Sequence, residues 1–261
     1  MALMFFPDLR LNVEMSGPEG GPPVVLLHAL GTNLALWDGV VARLPRHRLL
    51  RLDMRGHGAS DVPPAPYTMG ALIHDLERVM DRVRVRDAVV VGLSIGGMIA
   101  QGLAVKRLDL VRGMVLSNTA ARIGIASQWQ DRIDAVRAGG LESIADATLE
   151  RWFGRQWRDL PELTQMRAML LATPPEGWMG AAAAIAGTDF YTPTAGLTLP
   201  TLAIAGLRDG STPPDLVKET ADLILGSRFV LVRSAGHLPM VEQPGVYADL
   251  LRDFLESIGH V

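Results

Sequence analysis

Short apolar runs alternate with stretches of helical periodicity along most of this chain, and that rhythm limits what it can fold into more than any other feature. Runs at 9–15, 24–27, 49–53, 88–92, 111–116, 201–205 and 229–232 read as strands, and several are almost continuously apolar. A strand without polar alternation is covered on both faces, as in a parallel sheet between helices. The intervening stretches supply those helices. Thr68 is placed to cap one in which Leu72, Ile73, Leu76, Val79, Met80 and Val83 form a single stripe. Others fit 95–106, 213–225 and 246–257. The expected fold class is α/β with a mainly parallel sheet.

The rhythm breaks between 119 and 195, where helices fit 127–138, 141–153, 160–172 and 174–186, the last with Thr173 as N-cap and Pro174 at N1. This insert holds Trp129, Trp152, Trp157 and Trp178, four of the five Trp, so it is unusually rich in large rings. It reads as a lid over an apolar pocket, or as rings that fill the insert's own small core.

Composition narrows the chemistry. A formal net charge of -3 provides no basic field for nucleic acid. The absence of Cys removes disulfides, thiolate metal sites and a Cys nucleophile. The apolar start at 1–6 halts at Pro7 and Asp8 without a basic leader, unlike a signal peptide. No run approaches the roughly 18 apolar residues that span a bilayer. A cytoplasmic protein with no nucleic-acid or membrane partner is expected, and a homo-oligomer is left open.

The strongest local signal is Gly92-Leu93-Ser94-Ile95-Gly96, directly after an apolar run and directly before a helix. A tight strand-to-helix turn strains its central residue and tolerates only minimal side chains on either side, hence the two glycines. The turn raises the Ser94 hydroxyl above the sheet edge, beside the backbone N–H groups of the helix amino terminus. A Ser hydroxyl needs a base, and the base needs a carboxylate. His47 and His260 sit in a polar connection and at the tail, and His74 lies inside a helix. His57 fits a turn, and His28 fits a brace for the Gly loop that follows its strand. His237 follows the last apolar run, where a loop residue can reach across the sheet's carboxyl edge, and is the expected base. Asp209, beyond the 201–205 run, is the expected acid, since the preceding strand ends in Ser117 and Asn118. The order Ser94, Asp209, His237 is that of the α/β-hydrolase arrangement. The backbone N–H groups of Leu30 and Ile95 are the expected oxyanion donors.

With these residues in view, the sequence resembles the α/β-hydrolase superfamily over essentially its whole length, and within it the 3-oxoadipate enol-lactonases of aromatic-acid catabolism. The resemblance rests on 28–33, 53–60 and 92–98, and in the insert on 116–124, Arg151-Trp152-Phe153 and 173–178. Ile95 stands where that family usually has Met, Trp178 where it has Tyr, and 182–184 are Ala where Cys is frequent. These departures bear on pocket shape more than on reaction type. The resemblance implies an α/β-hydrolase fold, a mainly parallel sheet flanked by helices, with core segments 1–118 and 196–261 and an inserted helical cap at 119–195. It implies that Ser94 attacks a lactone carbonyl, that His237 passes the proton to the enol oxygen, and that water cleaves the acyl-enzyme. A small-molecule lactone or ester is then the partner, with no metal and no organic cofactor.

The family's substrate carries a carboxylate, which implies a cation within an apolar pocket. Arg122, Arg132 and Arg151 are the candidates, with Trp152 and Trp178 as further substrate contacts; each Arg could instead pair with a lid carboxylate such as Asp131 or Glu150. General carboxylesterases and other lactonases use the same trio, and carbon–carbon bond hydrolases and perhydrolases share the core. A receptor that retains the triad for small-molecule signalling is the reading from another class.

Overall fold

The computed structural model describes residues 2–154 and 162–261. Its strands are β1 (Ala2–Phe5), β2 (Arg10–Ser16), β3 (Pro23–Leu27), β4 (Arg48–Leu52), β5 (Ala88–Leu93), β6 (Val111–Ser117), β7 (Thr201–Gly206) and β8 (Arg228–Val232). They form one sheet in the order β1-β2-β4-β3-β5-β6-β7-β8. The pairings β1 with β2 and β2 with β4 are antiparallel, and the rest are parallel. Every residue of β5 and β7 is buried, as continuous apolar strands require when helices cover both faces.

The helices begin with α1 (Asp38–Val41), α2 (Met69–Arg82) and α3 (Ile95–Lys106). Between β6 and β7 run α4 (Ala126–Gly139), α5 (Glu142–Phe153), α6 (Leu163–Leu171), α7 (Pro175–Ala186) and α8 (Tyr191–Ala195). The chain closes with α9 (Pro214–Leu223), α10 (Pro239–Glu242) and α11 (Pro244–Ser257). Thr68 caps α2 by accepting the Ala71 N–H, and the Leu72, Ile73, Leu76, Val79 and Met80 stripe is buried. In the insert, α4 packs on α5 and α7, while α8 packs on α3 and α9. No helix among the described residues is long and apolar enough to cross a membrane.

Two local expectations change. The amino-terminal apolar run forms β1, an edge strand paired with β2 alone. Its residues are continuously apolar yet largely exposed, so here an apolar run does not mark a strand covered on both faces. The helix expected at 174–186 begins one residue later, with Pro174 at the N-cap and Pro175 at N1. Thr173 does not cap it. Its hydroxyl donates backward to the Met169 carbonyl at 3.3 Å, one of the last-turn carbonyls of α6 that lack intrahelical partners. The expected helix at 160–172 starts, like Trp157, outside the described residues and is α6 from Leu163 onward.

The parallel strands open onto one carboxyl edge, where β3 runs into His28, β5 into Ser94 and β6 into Asn118. The loops after β7 and β8 bring Asp209 and His237 to the same edge. Strand order reverses at β4-β3-β5, the kind of switch point where ligand crevices form in α/β sheets. The turn after β5 is crowded. A β-carbon on Gly92 would stand 2.3 Å from the Gly96 carbonyl oxygen, and one on Gly96 would stand 2.6 Å from that of Leu27. Gly96→Ala should therefore cost about 1–3 kcal/mol, the usual range for overpacking. A lower urea midpoint at unchanged slope would report that loss, and an unmoved midpoint would show that the turn has room.

Candidate active site

Ser94 links β5 to α3 with φ 55° and ψ -119°. Sparsely populated conformations of this kind cost a non-glycine residue about 1–3 kcal/mol and persist only where the surroundings enforce them. Here the Ser94 N–H donates to the Ser117 carbonyl at 3.0 Å, tying the turn to β6. The Ser94 carbonyl accepts from the Thr119 hydroxyl at 2.6 Å and from the Gly97 N–H at 2.9 Å. The side chain lines a narrow cavity between the sheet edge and the insert.

His237 lines the same cavity. Its Nδ1 lies 2.8 Å from Asp209 Oδ2, with both side chains buried. Donation of Nδ1–H to the carboxylate leaves Nε2 as the nitrogen able to accept a proton. Asp209 is held by several groups at once. Its Oδ1 accepts the Ser211 and Thr212 N–H groups at 2.7 and 3.1 Å, and its Oδ2 also accepts the Thr212 hydroxyl and the Asn118 amide at 2.7 and 2.8 Å. Burial alone pushes its carboxyl up, but His237 by charge and hydrogen bond, then Asn118 and Thr212, hold it below the ordinary value. Asn118, Thr119 and Thr212 were not singled out from sequence. For Asn118 the one signal was its place at the end of β6, where it appeared only as a missing carboxylate.

The His237 loop is fixed mainly through its backbone. The His237 N–H donates to the Trp152 carbonyl at 2.6 Å, and the Gly210 N–H donates to the Arg151 carbonyl at 2.8 Å. Both carbonyls belong to the last turn of α5, where intrahelical partners run out. The Trp152 ring also stacks near His237, with centroids 6.5 Å apart and planes 17° from parallel. Gly236 is gripped from both sides: its N–H donates to Glu242 Oε1 at 2.8 Å, and its carbonyl accepts the Asn118 amide at 3.2 Å.

Leu30 joins Ser94 and His237 around the cavity, and Trp129, Trp152 and Trp178 from the insert line it as well. Among the described residues, neither the Leu30 N–H nor the Ile95 N–H has a hydrogen-bond partner. The three candidate arginines separate. Arg132 and Arg151 line the cavity; Arg122 does not, and its half-exposed side chain stands 3.6 Å from Asp189. Arg132 lies over the Trp129 ring, 4.7 Å from the centroid, and Arg151 donates to the Thr148 hydroxyl at 3.0 Å. Burial pulls the pKa of both guanidinium groups down, Arg151 to about 10, where the charge of Arg132 adds to the effect. Among the described residues, no carboxylate forms an ion pair with either, Asp131 and Glu150 included. Of the remaining histidines, His74 is exposed beside Glu77, and His47 donates to the His260 carbonyl at 3.1 Å. No group of three His, Cys, Asp or Glu among the described residues converges as a metal-binding set.

A family model described as alpha/beta hydrolase fold matches residues 22–244. The chain is 32% identical over 243 residues to 3-oxoadipate enol-lactonase 2 from Acinetobacter baylyi, covering 92% of this chain and 91% of that protein. The solved structure of a hydrolase from Pseudomonas aeruginosa superimposes with a TM-score of 0.93 at 37% identity, over 97% of each chain. That of the enol-lactonase from Burkholderia xenovorans gives 0.92 at 34% identity, over 96% of this chain and 98% of the other.

Buried titratable groups around this site set opposing responses to pH. Burial, then the charge of His28, pushes His57 from 6.5 down to about 3. The unfolded chain binds the extra proton between those values, so acidification below 6.5 destabilises the fold. Burial pushes Glu242 from 4.5 up to about 7, against its bond from Gly236. There the folded chain binds the extra proton, so that contribution is full below 4.5 and lost as the pH rises to 7. The slopes oppose between 4.5 and 6.5, each at most about 1.4 kcal/mol per pH unit. Glu242→Gln keeps an acceptor for Gly236 but removes one slope. Its urea-measured stability should therefore fall from pH 6.5 to 4.5 more steeply than that of the parent, by up to about 1.4 kcal/mol per unit. Equal slopes would mean that Glu242 is ionised in the folded chain.

Proposed function

The chain belongs to the α/β-hydrolase fold family, and within it we propose that this hydrolase opens a small enol-lactone, 3-oxoadipate enol-lactone, to 3-oxoadipate in aromatic-compound catabolism. The observation that carries the reading is the buried Asp209–His237 pair, 2.8 Å apart, beside a cavity that Ser94 also lines. Core segments 1–118 and 196–261 present these residues, and the segment 119–195 serves as the cap.

Ser94 Oγ attacks the lactone carbonyl while His237 Nε2 takes its proton, and Asp209 stabilises the imidazolium that forms. The carbonyl oxygen becomes an oxyanion, received by the Leu30 and Ile95 N–H groups. Each such donor is typically worth about 2.7–4 kcal/mol of transition-state stabilisation. Collapse breaks the ring C–O bond, and His237 returns the proton to the departing enol oxygen. The enol tautomerises to a ketone, which disfavours reclosure. Water, deprotonated by His237, then attacks the acyl carbonyl. As the bond to Ser94 breaks, His237 returns that proton to Ser94 Oγ, and the acid released ionises to the second carboxylate.

Two guanidinium groups facing one cavity repel each other, and a substrate carboxylate between Arg132 and Arg151 relieves that repulsion with charge-assisted bonds. Trp152 and Trp178 supply the apolar walls. Arg122 is left out of this assignment because it stands away from the cavity.

A panel of lactones and esters on the purified protein tests the reading. Ser94→Ala should abolish turnover with the fold intact, and Asp209→Asn should lower kcat by about 10⁴-fold. Arg132→Gln and Arg151→Gln should each raise KM for the charged lactone by about tenfold, the effect of losing roughly 1.4 kcal/mol, while leaving a neutral ester within twofold. Equal losses on both substrates would remove the arginines from carboxylate recognition. A preference for uncharged esters would move the activity to a general carboxylesterase.

A further inference from the structure

The oxyanion side of the proposed site depends on how one peptide plane is held. The Ala29 carbonyl accepts from the Thr32 hydroxyl at 2.8 Å, from the Thr32 N–H at 3.2 Å, and from His28 Nδ1–H at 2.8 Å. A trans peptide is planar, so its N–H points opposite to its C=O. Fixing the Ala29 carbonyl therefore aims the Leu30 N–H the other way, and Leu30 lines the cavity with Ser94. The following peptide is held too, because the Gly31 N–H donates to His57 Nε2 at 3.1 Å.

The two histidines act reciprocally. His28, on the oxyanion loop, accepts the Met54 N–H of the neighbouring loop on Nε2 at 3.0 Å. His57, on that neighbouring loop, accepts the Gly31 N–H of the oxyanion loop. With each Nε2 accepting, the ring proton sits on Nδ1, which donates to the Ala29 carbonyl from His28 and to the Arg55 carbonyl at 3.2 Å from His57. The rings are fully buried with centroids 5.4 Å apart. Buried polar groups are costly unless matched, and here all four ring nitrogens meet main-chain groups of these two loops.

We infer that His28 and His57 form a cross-brace that aims the Leu30 N–H at the transition-state oxygen, and that His57 is a positioning residue for turnover in addition to its part in folding. This rests on the hydrolase reading of Ser94. The inferred role is not acid–base: a proton added at either Nε2 would set N–H against N–H and break the brace.

The test compares His57→Leu, which removes the acceptor at similar bulk, with His57→Gln, whose Oε1 can take the Gly31 N–H. His57→Leu should lower kcat by about 10²-fold, as misplacement by about 1 Å or loss of an oxyanion donor does, with KM within about threefold. His57→Gln should recover at least about tenfold of that loss. Phenylboronic acid, which forms a tetrahedral adduct on an active serine, should bind His57→Leu weaker by a factor close to the loss in kcat. The product dicarboxylate should bind as to the parent, both measured below the unfolding temperature. If boronate and product affinities fall together, or if Gln recovers nothing, the role is structural only and the inference is overturned. The same follows if His57→Leu keeps kcat within threefold while Ser94→Ala is inactive. Retained turnover in Ser94→Ala would instead overturn the reading of Ser94, whatever the His57 variants do.

Discussion

A residue with φ of 55°, wedged between a fully buried strand and a buried helix, leaves its neighbours little freedom of placement. The turn at Ser94 closes only if Gly92 meets the Gly96 carbonyl and Gly96 meets the Leu27 carbonyl without a side chain intervening. That contact locks α3 against the end of β3, from which the His28 loop departs. On the other side, the Ser117 carbonyl and the Thr119 hydroxyl hold the same turn from β6 and just beyond it. One crowded junction thus sets the spacing between the Ser94 turn, the His28 loop and the strand end that carries Asn118.

The insert is joined to the core by main chain as well as by side-chain packing. The final turn of α5 directs the Arg151 and Trp152 carbonyls onto the Gly210 and His237 N–H groups, while the side chains of the same two residues line the cavity. A helix end always has such carbonyls to satisfy. Here the two loops carrying Asp209 and His237 satisfy them. Side chains lining the cavity and the carbonyls that hold the Asp209 and His237 loops therefore belong to one helical turn. Because those carbonyls are main chain, a side-chain substitution at Arg151 changes the cavity while leaving the bond to Gly210 in place.

What was legible in the sequence was local in origin. Ser94 stood out because a strand-to-helix turn needs glycine on both sides, a requirement written within five adjacent residues. Asp209 and His237 came from chain order along the carboxyl edge of a parallel sheet, which the alternation of runs already implied. The features that escaped depend on approach in space. Asn118 looked like an absence, yet its amide bonds both Asp209 and the Gly236 carbonyl across 91 and 118 residues of sequence. Arg122, Arg132 and Arg151 were equivalent as letters in the insert. They separate only when α4 and α5 turn two of them inward and the third meets Asp189 at the surface.

By itself the sequence determined the α/β class, the parallel character of most of the sheet, and the residue types available for covalent chemistry. Periodicity and turn sterics are short-range, and they survive in a string of letters. Only the tertiary structure decided that β1 adds an edge strand, that Thr173 serves α6 instead of α7, and that His28 and His57 hold each other's loops. Those outcomes turn on which carbonyl or N–H lies within about 3 Å of a side chain once the chain is packed, and hydrogen bonding at that range is set by the whole fold.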